Sequence, residues 1–545
     1  KYQDEQKISE LDSELIPTLL SRFYAATGNL QSAFNQLYQE VYGMASIAVL
    51  PAGLKNILLA TNNGSLYFAS KKETAFIFAS ERPILKKFIE KLSGSPPFSP
   101  SAIQHLEANS ACVARLGDFD FSVQPISAAE HEFPTVEKRN QPLAAVEITE
   151  KVKDKPVYVN TSMERRAYPA PPSIIHELEQ KQERINALKR CSKCILPETF
   201  PFIEFDDAGI CNYCNNHHPI QYGGLEAFSR LLNQYQSSSG GKPDCLMPFS
   251  GGRDSSYALH FIKKELGMNP IAFSYDWGML TDLARRNQSR MCSRLGIEHL
   301  LVSADIRKNR EHIRKNVSAW LKRPRLGTIP LFMAGDKKFL YIVNQLMKEY
   351  NLQLSIVGEN LLETTRFKTG FCGIKPTFGN TFTYTLRYRD KLKMLLFYGK
   401  EYLMNPAYIN SSLLDILDAF RSYYVIRHRN INLFNYIPWE EERIERTLIE
   451  QYDWETDPGT STTWRIGDGT AAFYNYIYYT VAGFTENDTF RSNQIREGLI
   501  TREKALEKVN SENTPRFDSI QWYCSTVGID FKTAIPIIHR IPTLY

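Results

Sequence analysis

Three features that would each decide a protein's class are missing from this 545-residue chain. It has no apolar run near the roughly 18 residues that a transmembrane helix needs, and it shows no signal peptide, so we expect no membrane association. Its formal net charge is only +5, too mild to indicate a nucleic-acid or anionic-membrane partner. Five of its nine cysteines are scattered, which argues against a disulfide framework and favours a reducing cytoplasm.

Two further absences narrow the organisation of the chain. No internal repeat is visible, and 545 residues are too many for one hydrophobic core, so we expect about three units. The sequence also contains no Walker A loop, because its nearest candidate, Gly241-Lys242, is followed by Pro243. A phosphate site must therefore be built on another motif.

We predict an anion site at one short run, which reads Ser250-Gly251-Gly252-Arg253-Asp254-Ser255-Ser256. It follows the apolar residues 245–249 and precedes residues 257–262, whose apolar side chains recur at helical spacing. Glycines let the backbone approach a phosphate, and the first N–H groups of a helix lack intrahelical partners. Serine hydroxyls add hydrogen-bond donors, and Asp254 offers a carboxylate to a metal ion bound to the phosphates.

The residues after this run alternate between strand and helix patterns. Strands are predicted over 271–275, 298–302 and 354–357, and a helix over 282–295. This order predicts an α/β fold with a doubly wound parallel sheet, in which ligands bind beyond the carboxyl ends of the strands. One crevice can therefore collect three segments that fall at such ends, namely Ser250, Tyr275-Asp276 and Gly358-Glu359-Asn360.

A second motif consists of two Cys-x2-Cys pairs, Cys191 with Cys194 and Cys211 with Cys214, separated by sixteen residues. This spacing is typical of a closed four-cysteine Zn²⁺ site of the zinc-ribbon kind, with sulfurs about 2.3 Å from the ion. Residues 202–209 between the pairs predict a short hairpin. Four thiolates leave no open position on the metal, so we expect a structural role. Unbound cysteines and an iron–sulfur cluster are the alternatives.

The run at 250–256 matches the Ser-Gly-Gly-x-Asp-Ser signature of the PP-loop ATP pyrophosphatases, and the chain resembles that superfamily here. The resemblance implies that ATP, with Mg²⁺, is cleaved between its α and β phosphates. AMP passes to a carbonyl-type oxygen and is then displaced by a nitrogen or sulfur nucleophile. We assign to ATP and pyrophosphate Ser250, Gly251, Gly252, Arg253, Asp254, Ser255, Ser256 and Tyr275.

Three residues are predicted to be catalytic. Asp254 would hold the metal ion, Glu359 would accept a proton from ammonia, and Asn360 would orient the substrate. A helix cap is an equally good interpretation of Gly358-Glu359-Asn360, because Asn is a common capping residue.

The order of residues 191–201, residues 205–214 and the run at 250–256 resembles the N-acetyl sugar amidotransferases, and residues 495–505 resemble a C-terminal segment of that family. The resemblance covers about residues 191–510. It implies a cytoplasmic, AMP-forming amidotransferase of surface-polysaccharide, including lipopolysaccharide, biosynthesis. Such an enzyme turns the acetamido group of an N-acetylated sugar or nucleotide sugar into an acetamidino group. Two departures from the family pattern leave the acceptor open, because Arg253 stands where Lys is common and residues 464–469 follow the family's region only loosely.

The first 130 residues resemble the later part of a class II glutamine amidotransferase, a domain of αββα type. The resemblance rests on residues 9–16 and on three strand patterns further on, and it implies that Asp12 holds the α-amino group of glutamine. That family attacks glutamine with an N-terminal cysteine, whereas this chain starts at Lys1 and has no cysteine before Cys112. We interpret this as an N-terminal segment outside the chain, with decay of the domain as the alternative.

The predicted order is a partial glutaminase-like domain (1–130), a linker (131–190), a four-cysteine element (191–225) and a PP-loop synthetase domain with a helical C-terminal extension (226–545). The expected partners are a small-molecule acceptor and glutamine or ammonia. Nucleic acid is disfavoured and a homo-oligomer is allowed, because the aromatic residues 473–484 fit a core or subunit contact better than a base-stacking surface. The alternatives are asparagine-synthetase-like amidation of a carboxylate, a tRNA-modifying PP-loop enzyme, and a non-catalytic zinc-ribbon module.

Overall fold

The computed structural model describes residues 15–92, 98–127, 133–139, 172–235, 243–378, 386–424 and 430–545. Asp12 and most of the predicted linker lie outside these residues. Within the described ranges, we find no helix that combines the length and the apolarity needed to cross a bilayer.

The N-terminal part is built from short helices and antiparallel strands. Its elements are α1 (Leu15–Thr27), α2 (Leu30–Glu40), β1 (Ser46–Val49), β2 (Asn56–Thr61), β3 (Tyr67–Lys71), β4 (Ala75–Ala79), α3 (Arg82–Lys91), β5 (Gln104–His105), β6 (Ser110–Arg115) and β7 (Phe121–Pro125). The strands form two sheets, in the orders β1-β2-β6-β7 and β4-β3-β5.

These elements stack in four layers because successive side chains of a strand point to opposite faces. On β2, Leu58 and Ala60 pack against α1 and α2, while Leu59 packs against the second sheet. On β3, Phe68 faces the first sheet, and Tyr67 faces α3. The layer order is helix, sheet, sheet, helix. A glutaminase function for this part stays a prediction.

The N-terminal part docks on the next unit through polar contacts. The backbone N–H of Met44 donates to Ser289 Oγ (2.7 Å), and Asn62 Nδ2 donates to Ser293 Oγ (3.0 Å). Tyr67 donates its hydroxyl to the carboxylate of the buried Glu298 (2.6 Å). Burial raises the pKa of Glu298 to about 8.

The four-cysteine element lies between two helices, the first of which falls inside the predicted linker (131–190). Around it are α4 (Pro172–Asn186), α5 (Asn212–Asn215) and α6 (Leu225–Leu232). The hairpin expected at 202–209 is reduced to one antiparallel bridge, between Phe205 and Cys211. The reason is local, because the Asp206 carboxylate accepts the backbone N–H groups of Ala208 (3.0 Å) and Ile210 (2.8 Å) and folds the segment into a tight turn.

The central unit is a five-stranded parallel sheet, which confirms the predicted α/β fold. Its elements are β8 (Cys245–Pro248), α7 (Arg253–His260), β9 (Pro270–Asp276), α8 (Asp282–Leu295), β10 (His299–Ser303), α9 (Ile306–Lys322), α10 (Phe339–Glu349), β11 (Ser355–Val357) and β12 (Asn430–Asn432). Helices cover both faces. Met247 packs with α7 and α8 residues on one face, and Leu246 packs with α10 residues on the other.

The strand order β10-β9-β8-β11-β12 places a switch in direction between β8 and β11. The chain winds outward from β8 through β9 to β10 and then returns to add β11 on the other side of β8. Loops at a switch point diverge and leave a crevice at the carboxyl ends of the two strands. The carboxyl ends of β8 and β11 are therefore the expected position for a ligand.

The C-terminal part is helical, as predicted. Its helices are α11 (Phe367–Gly370), α12 (Tyr388–Met404), α13 (Leu413–Tyr424), α14 (Glu441–Tyr452), α15 (Ala471–Ala482), α16 (Glu486–Arg496), α17 (Arg502–Glu512), α18 (Phe517–Val527) and α19 (Phe531–His539). The aromatic side chains of α15 are interior, since Phe473, Tyr474 and Tyr478 are all 0–1% exposed. This surface is therefore not available for stacking on bases.

Candidate functional site

The 250–256 loop connects β8 to α7 at the switch point. Gly251 has a φ of +77°, and a Cβ there would lie 2.6 Å from the backbone oxygen of Ala284, so only glycine fits. Ser250 is exposed, and its Oγ accepts the Gly252 N–H (3.3 Å) and lies 3.0 Å from Ser255 Oγ. The loop thus presents two hydroxyls and the N-terminal N–H groups of α7 at the crevice, as a phosphate site requires.

Ser256 lies just inside this loop and is fully buried. Its Oγ has no hydrogen-bond partner among the described residues. A buried hydroxyl without a partner costs free energy unless a ligand or water satisfies it. This is the condition expected where a phosphate oxygen is to be bound.

The Arg253 side chain is directed into the protein interior, where its guanidinium lies 3.4 Å from Asp254 Oδ1 and 3.8 Å from Glu363 Oε1. The guanidinium is buried (2% exposed), donates to Thr463 Oγ1 (2.9 Å) and pairs with the Glu441 carboxylate (3.1 Å). It also lies over the ring of Trp439, 4.8 Å from the centroid. The structure therefore places Arg253 among acidic and aromatic side chains of the helical part, where it ties α7 to α14.

Asp254 points to the crevice side of the same helix turn. Its carboxylate accepts the indole N–H of Trp439 (2.7 Å), and its side chain is 14% exposed. The half-buried Glu363 carboxylate is its neighbour, since both carboxylates lie against the Arg253 guanidinium, at 3.4 Å for Asp254 and 3.8 Å for Glu363. Burial and the neighbouring Asp254 carboxylate raise the pKa of Glu363 well above its ordinary value. Two adjacent carboxyls, one of which is stabilised in its protonated form, can bind a divalent cation when that proton is released.

Gly358, Glu359 and Asn360 follow β11 directly, beside the 250–256 loop. A Cβ on Gly358 would lie 2.5 Å from the Cβ of Ala258 and 2.9 Å from the Asp254 backbone oxygen, so the two segments touch. The Glu359 backbone is held by Asn432, whose side chain accepts from its N–H (3.0 Å) and donates to its carbonyl (2.8 Å). Burial raises the pKa of the Glu359 carboxyl.

Asn360 takes the capping role that its sequence context allows, and its role toward a substrate stays a prediction. Its Oδ1 accepts the Leu362 N–H (3.0 Å) and caps a short 3-10 turn, Leu361–Glu363. Its Nδ2 is buried and has no hydrogen-bond partner among the described residues. The side chain is therefore fixed by its oxygen and still has two N–H donors to offer.

Tyr275 and Asp276 end β9, further from the switch point. Tyr275 is half-buried against apolar side chains, and burial raises the pKa of its hydroxyl to about 12. The Asp276 carboxylate accepts the Gly278 N–H (2.9 Å) and pairs with Arg285 (2.6 Å). The sheet thus brings Ser250, Asp254, Glu359 and Asn360 to two neighbouring strand ends, with Tyr275 at the next strand.

Sequence reasoning missed Glu363 and a set of buried ion pairs behind the crevice. Glu486 is fully buried between Lys368 (2.5 Å) and Arg465 (3.2 Å) and accepts the Tyr474 hydroxyl (2.7 Å). No local pattern marks these positions, because the partners lie up to about a hundred residues apart in the chain. A density of Arg, Glu and Tyr in otherwise apolar helices is the one signal that points to them.

The four cysteines form one buried cluster, as their spacing predicts. Their sulfurs all lie within 4.8 Å of one another, with 3.9 Å between Cys191 and Cys214 and 3.8 Å between Cys194 and Cys211. Two sulfurs that are each about 2.3 Å from a tetrahedral ion lie about 3.8 Å apart, so the cluster fits one metal ion. A metal ion would bind the four cysteines as thiolates.

Residues 495–505 pack directly on this cluster. The Arg496 guanidinium donates to Cys214 Sγ (3.7 Å), and Arg502 Nε donates to the carbonyls of Cys191 (3.2 Å) and Cys194 (3.0 Å). The C-terminal helices are therefore held to the cysteine element. Two segments that the sequence analysis linked only by resemblance are neighbours in space.

No family model matches the chain. An uncharacterized protein of Methanocaldococcus jannaschii is 24% identical over 119 residues, which are 21% of this chain and 43% of that protein. The chain thus spans less than half the length of this curated relative.

The chain is similar at low level to several solved structures. An NH3-dependent NAD synthetase from Campylobacter jejuni in complex with nitrate shares 14% identity over 37% of this chain and 96% of its own, with a TM-score of 0.19. An NMN synthetase from Francisella tularensis shares 16% over 54% and 95% (0.23), and a U34-tRNA thiolase from Methanococcus maripaludis with its 4Fe-4S cluster shares 13% over 62% and 88% (0.21). TM-scores this low carry no conclusion about this chain.

Proposed function

We propose that the protein is an ATP-dependent, AMP-forming amidotransferase that acts on a sugar-type acceptor. The observation that carries this proposal is the meeting, at the carboxyl ends of β8 and β11, of the 250–256 loop with the Asp254–Glu363 carboxyl pair and Asn360. A phosphate cradle, a place for a cation and a free amide donor then lie around one crevice. These are the parts needed to activate an oxygen by adenylation.

Each residue near the crevice has a separate task in binding. The loop N–H groups, Ser250 and Ser255 hold the pyrophosphate portion of ATP, and the Ser256 hydroxyl gains the partner that it lacks. Asp254 and Glu363 are oxygen ligands of the kind that Mg²⁺ prefers. The bound Mg²⁺ would neutralise charge on the phosphates. Arg253 keeps its structural position and takes no part in phosphate binding.

The chemistry proceeds in two balanced steps. The acceptor's amide oxygen attacks the α-phosphate of ATP, forming an O–P bond while the bond to the leaving pyrophosphate breaks. Ammonia then adds to the activated carbon, loses a proton to Glu359 and expels AMP, leaving an amidine. Asn360 donates Nδ2–H to the acceptor, and Glu359, whose pKa is raised by burial, is suited to accept the proton.

Ammonia would come from glutamine through the N-terminal part. The four-layer arrangement and its docking on α8 support a covalently attached nitrogen-supplying unit. Asp12, the proposed ligand of the glutamine amino group, lies outside the described residues. Free ammonium should replace glutamine in the second step, because the synthetase crevice is a separate site.

The four-cysteine cluster is proposed to hold Zn²⁺ with a structural role. The sulfur separations of 3.8 and 3.9 Å suit a single ion, whereas the cysteines of an iron–sulfur cluster must reach around several irons. Arg496 and Arg502 then anchor the C-terminal helices on the zinc element.

Amidation of a carboxylate, as in asparagine-synthetase-like enzymes, is the second candidate. It is favoured by the order of the units, because a four-layer α/β part precedes the parallel sheet in this chain. Both reactions release AMP and pyrophosphate. They differ in the acceptor, since one consumes an amide and the other a carboxylate.

The test is to incubate the full chain with ATP, Mg²⁺, ammonium and one of two panels, either N-acetylated nucleotide sugars or nucleotide sugars that carry a carboxylate and no acetamido group. We expect AMP and pyrophosphate in equal amounts, and only with an N-acetylated acceptor. Turnover with carboxylates alone would select the second candidate. Formation of ADP and phosphate would contradict both.

A further inference from the structure

A cleft lies beside the crevice, between the cysteine element, the Leu361–Glu363 turn and α16. We call it the side cleft, and it encloses about 860 Å³ including the solvent at its mouth. The residues that matter below are Tyr213, His217, Thr364, Phe378, Thr489 and Glu497. The enclosed part is about 100 Å³, so a ligand bound here would lie partly in solvent.

The side cleft contains a polar group that lacks a protein partner. Thr489 is 4% exposed, and its Oγ1 has no hydrogen-bond partner among the described residues. A threonine on a helix commonly bonds a carbonyl of its own preceding turn, and Thr489 does not. Its hydroxyl is therefore a buried donor and acceptor left for a bound molecule.

The remaining lining combines flat aromatic rings with fixed polar groups. Tyr213 and Phe378 meet edge to face, with ring centroids 5.5 Å apart, at one wall. The polar part of the lining is a histidine–carboxylate pair. His217 Nε2 lies 2.8 Å from Glu497 Oε1, and Glu497 Oε2 accepts the Ile220 N–H (3.1 Å). A pyranose presents apolar C–H faces to rings and hydroxyls to such carboxylate, imidazole and hydroxyl groups.

The charge of the side cleft disfavours a nucleic acid. The lining has two arginines, and one of them, Arg496, donates hydrogen bonds to Cys214 Sγ (3.7 Å) and Asn493 Oδ1 (2.6 Å). Glu497 adds a negative charge. Single-stranded nucleic acids are bound in basic grooves, with bases stacked on exposed rings. A neutral or weakly charged carbohydrate suits this lining better.

The side cleft shares one turn of chain with the crevice. Leu361, Leu362 and Thr364 line the cleft, while Glu363 beside them lies 3.8 Å from the Arg253 guanidinium, which is also 3.4 Å from Asp254. Asn360, with its free Nδ2, begins this turn. A ligand held in the cleft can therefore extend an amide past Asn360 toward the phosphates.

We infer that the side cleft binds the acceptor, an N-acetylated hexosamine, and that Thr489 and Phe378 contribute to its affinity. The choice of ligand rests on the proposed function. Thr489 supplies a hydrogen bond to a sugar hydroxyl or acetamido group, and Phe378 supplies a face for the ring. Because the Leu361–Glu363 turn borders both the side cleft and the crevice, a sugar bound in the cleft would place its acetamido oxygen at the crevice.

The test is calorimetric titration of the full chain, without ATP, with UDP-N-acetylglucosamine and with free N-acetylglucosamine. We expect Phe378→Ala to weaken binding about ten-fold and Thr489→Val about three-fold or more, the usual value of one ring contact or one hydrogen bond. The matched controls are Phe88→Ala, at an exposed ring on α3, and Thr480→Val, at a buried threonine on α15 outside the cleft. Both controls should bind as the wild type does.

Several outcomes overturn the inference. Wild-type protein that binds neither sugar, or variants with unchanged affinity and unchanged melting temperature, would show that the side cleft is not the acceptor site. Binding of a tRNA transcript that depends on Phe378 and Thr489 would assign the cleft to RNA instead. If both variants lose sugar binding but the wild type forms no AMP, the side cleft would still be a sugar site and the proposed reaction would be refuted.

Discussion

The cysteine cluster and the 250–256 loop differ most clearly in how completely their polar groups are satisfied. All four cysteines are buried, and their sulfurs and carbonyls accept hydrogen bonds from Arg496 and Arg502. Around the carboxyl ends of β8 and β11, Ser256 Oγ and Asn360 Nδ2 have no hydrogen-bond partner among the described residues. The first site is closed, and the second is open.

This difference separates a structural site from one prepared for a ligand. Unpaired buried polar groups destabilise a fold, so they persist where binding or catalysis makes use of them. The cysteine cluster holds chain segments together, and the crevice keeps unsatisfied groups that the proposed function assigns to ATP and its acceptor. Changing the first should therefore alter stability, and changing the second should alter activity.

The largest effect is expected at the cysteine cluster. Cys211→Ser removes one of four ligands, and we expect loss of the bound zinc and a loss of at least about 4 kcal/mol in unfolding free energy, because a structural metal supplies folding energy. Metal analysis together with urea denaturation measures both. Cys372→Ser is the control, since Cys372 lies outside the cluster and donates to the Gly327 carbonyl, which a hydroxyl can also do. One zinc per chain in Cys211→Ser would contradict the closed site.

At the open site, Asp254→Asn should leave stability nearly unchanged and lower the rate of AMP formation about 100-fold or more. The amide keeps an oxygen for the Trp439 N–H but loses the charge that would hold the cation. Steady-state kinetics at several Mg²⁺ concentrations is the measurement. Asp282→Asn changes an exposed carboxylate at the start of α8 and should have no effect. Equal loss in both variants would rule out a specific role for Asp254.

Gly251→Ala should have an intermediate effect on nucleotide binding. The positive φ and the Ala284 oxygen 2.6 Å from the new Cβ force the loop to move, at a cost of about 1–3 kcal/mol. We expect the Kd for ATP to rise about ten-fold or more in equilibrium titrations. Gly399→Ala provides the comparison, because Gly399 lies within α12 with nothing within 4 Å of an added Cβ. ATP affinity that survives in Gly251→Ala would show that the loop does not cradle phosphate.

The smallest effect concerns pH and Glu363. Because burial and Asp254 raise the folded-state pKa of Glu363, its contribution to stability is full below the ordinary value near 4.5 and falls as the pH rises toward the folded value. Glu363→Gln should remove this fall, so the variant gains stability relative to the wild type between pH 5 and pH 8. Urea midpoints at the two pH values measure the gain. The control is Glu442→Gln, at a side chain that is 93% exposed, and it should match the wild type. If Glu363→Gln also matched the wild type at both pH values, the Glu363 carboxyl would not have a raised pKa.

Local signals in the sequence were enough to predict the strands and helices around the 250–256 loop. The helix predicted at 282–295 coincides with α8, because Thr281 caps its first turn and Gly296 ends it in the left-handed region (φ 60°). The glycines of the 250–256 loop and the cysteine pairs also carry their geometry in their spacing. Such features depend on residues a few positions apart.

Contacts between distant segments were not predictable in this way. Glu363 meets Asp254 only because β11 inserts beside β8, and Glu441 meets Arg253 across almost two hundred residues. Arg253 was assigned to phosphate from its place in the motif. Its direction depends on the acidic and aromatic side chains of α14 and α16, which no local pattern reveals. The aromatic residues of α15 are expected in a core from their density alone, but the helices that cover them, α18 and α19, are known only from the packing.

The central claim is that the crevice transfers AMP to an amide oxygen of the acceptor. It is tested most directly with UDP-N-acetylglucosamine, or another acceptor that turns over, labelled with ¹⁸O in the acetamido carbonyl. Mass spectrometry of the nucleotide formed with ATP, Mg²⁺ and ammonium measures the label. We expect one ¹⁸O in the phosphate of AMP and none in pyrophosphate. Unlabelled AMP, or ADP as the nucleotide product, would contradict the account.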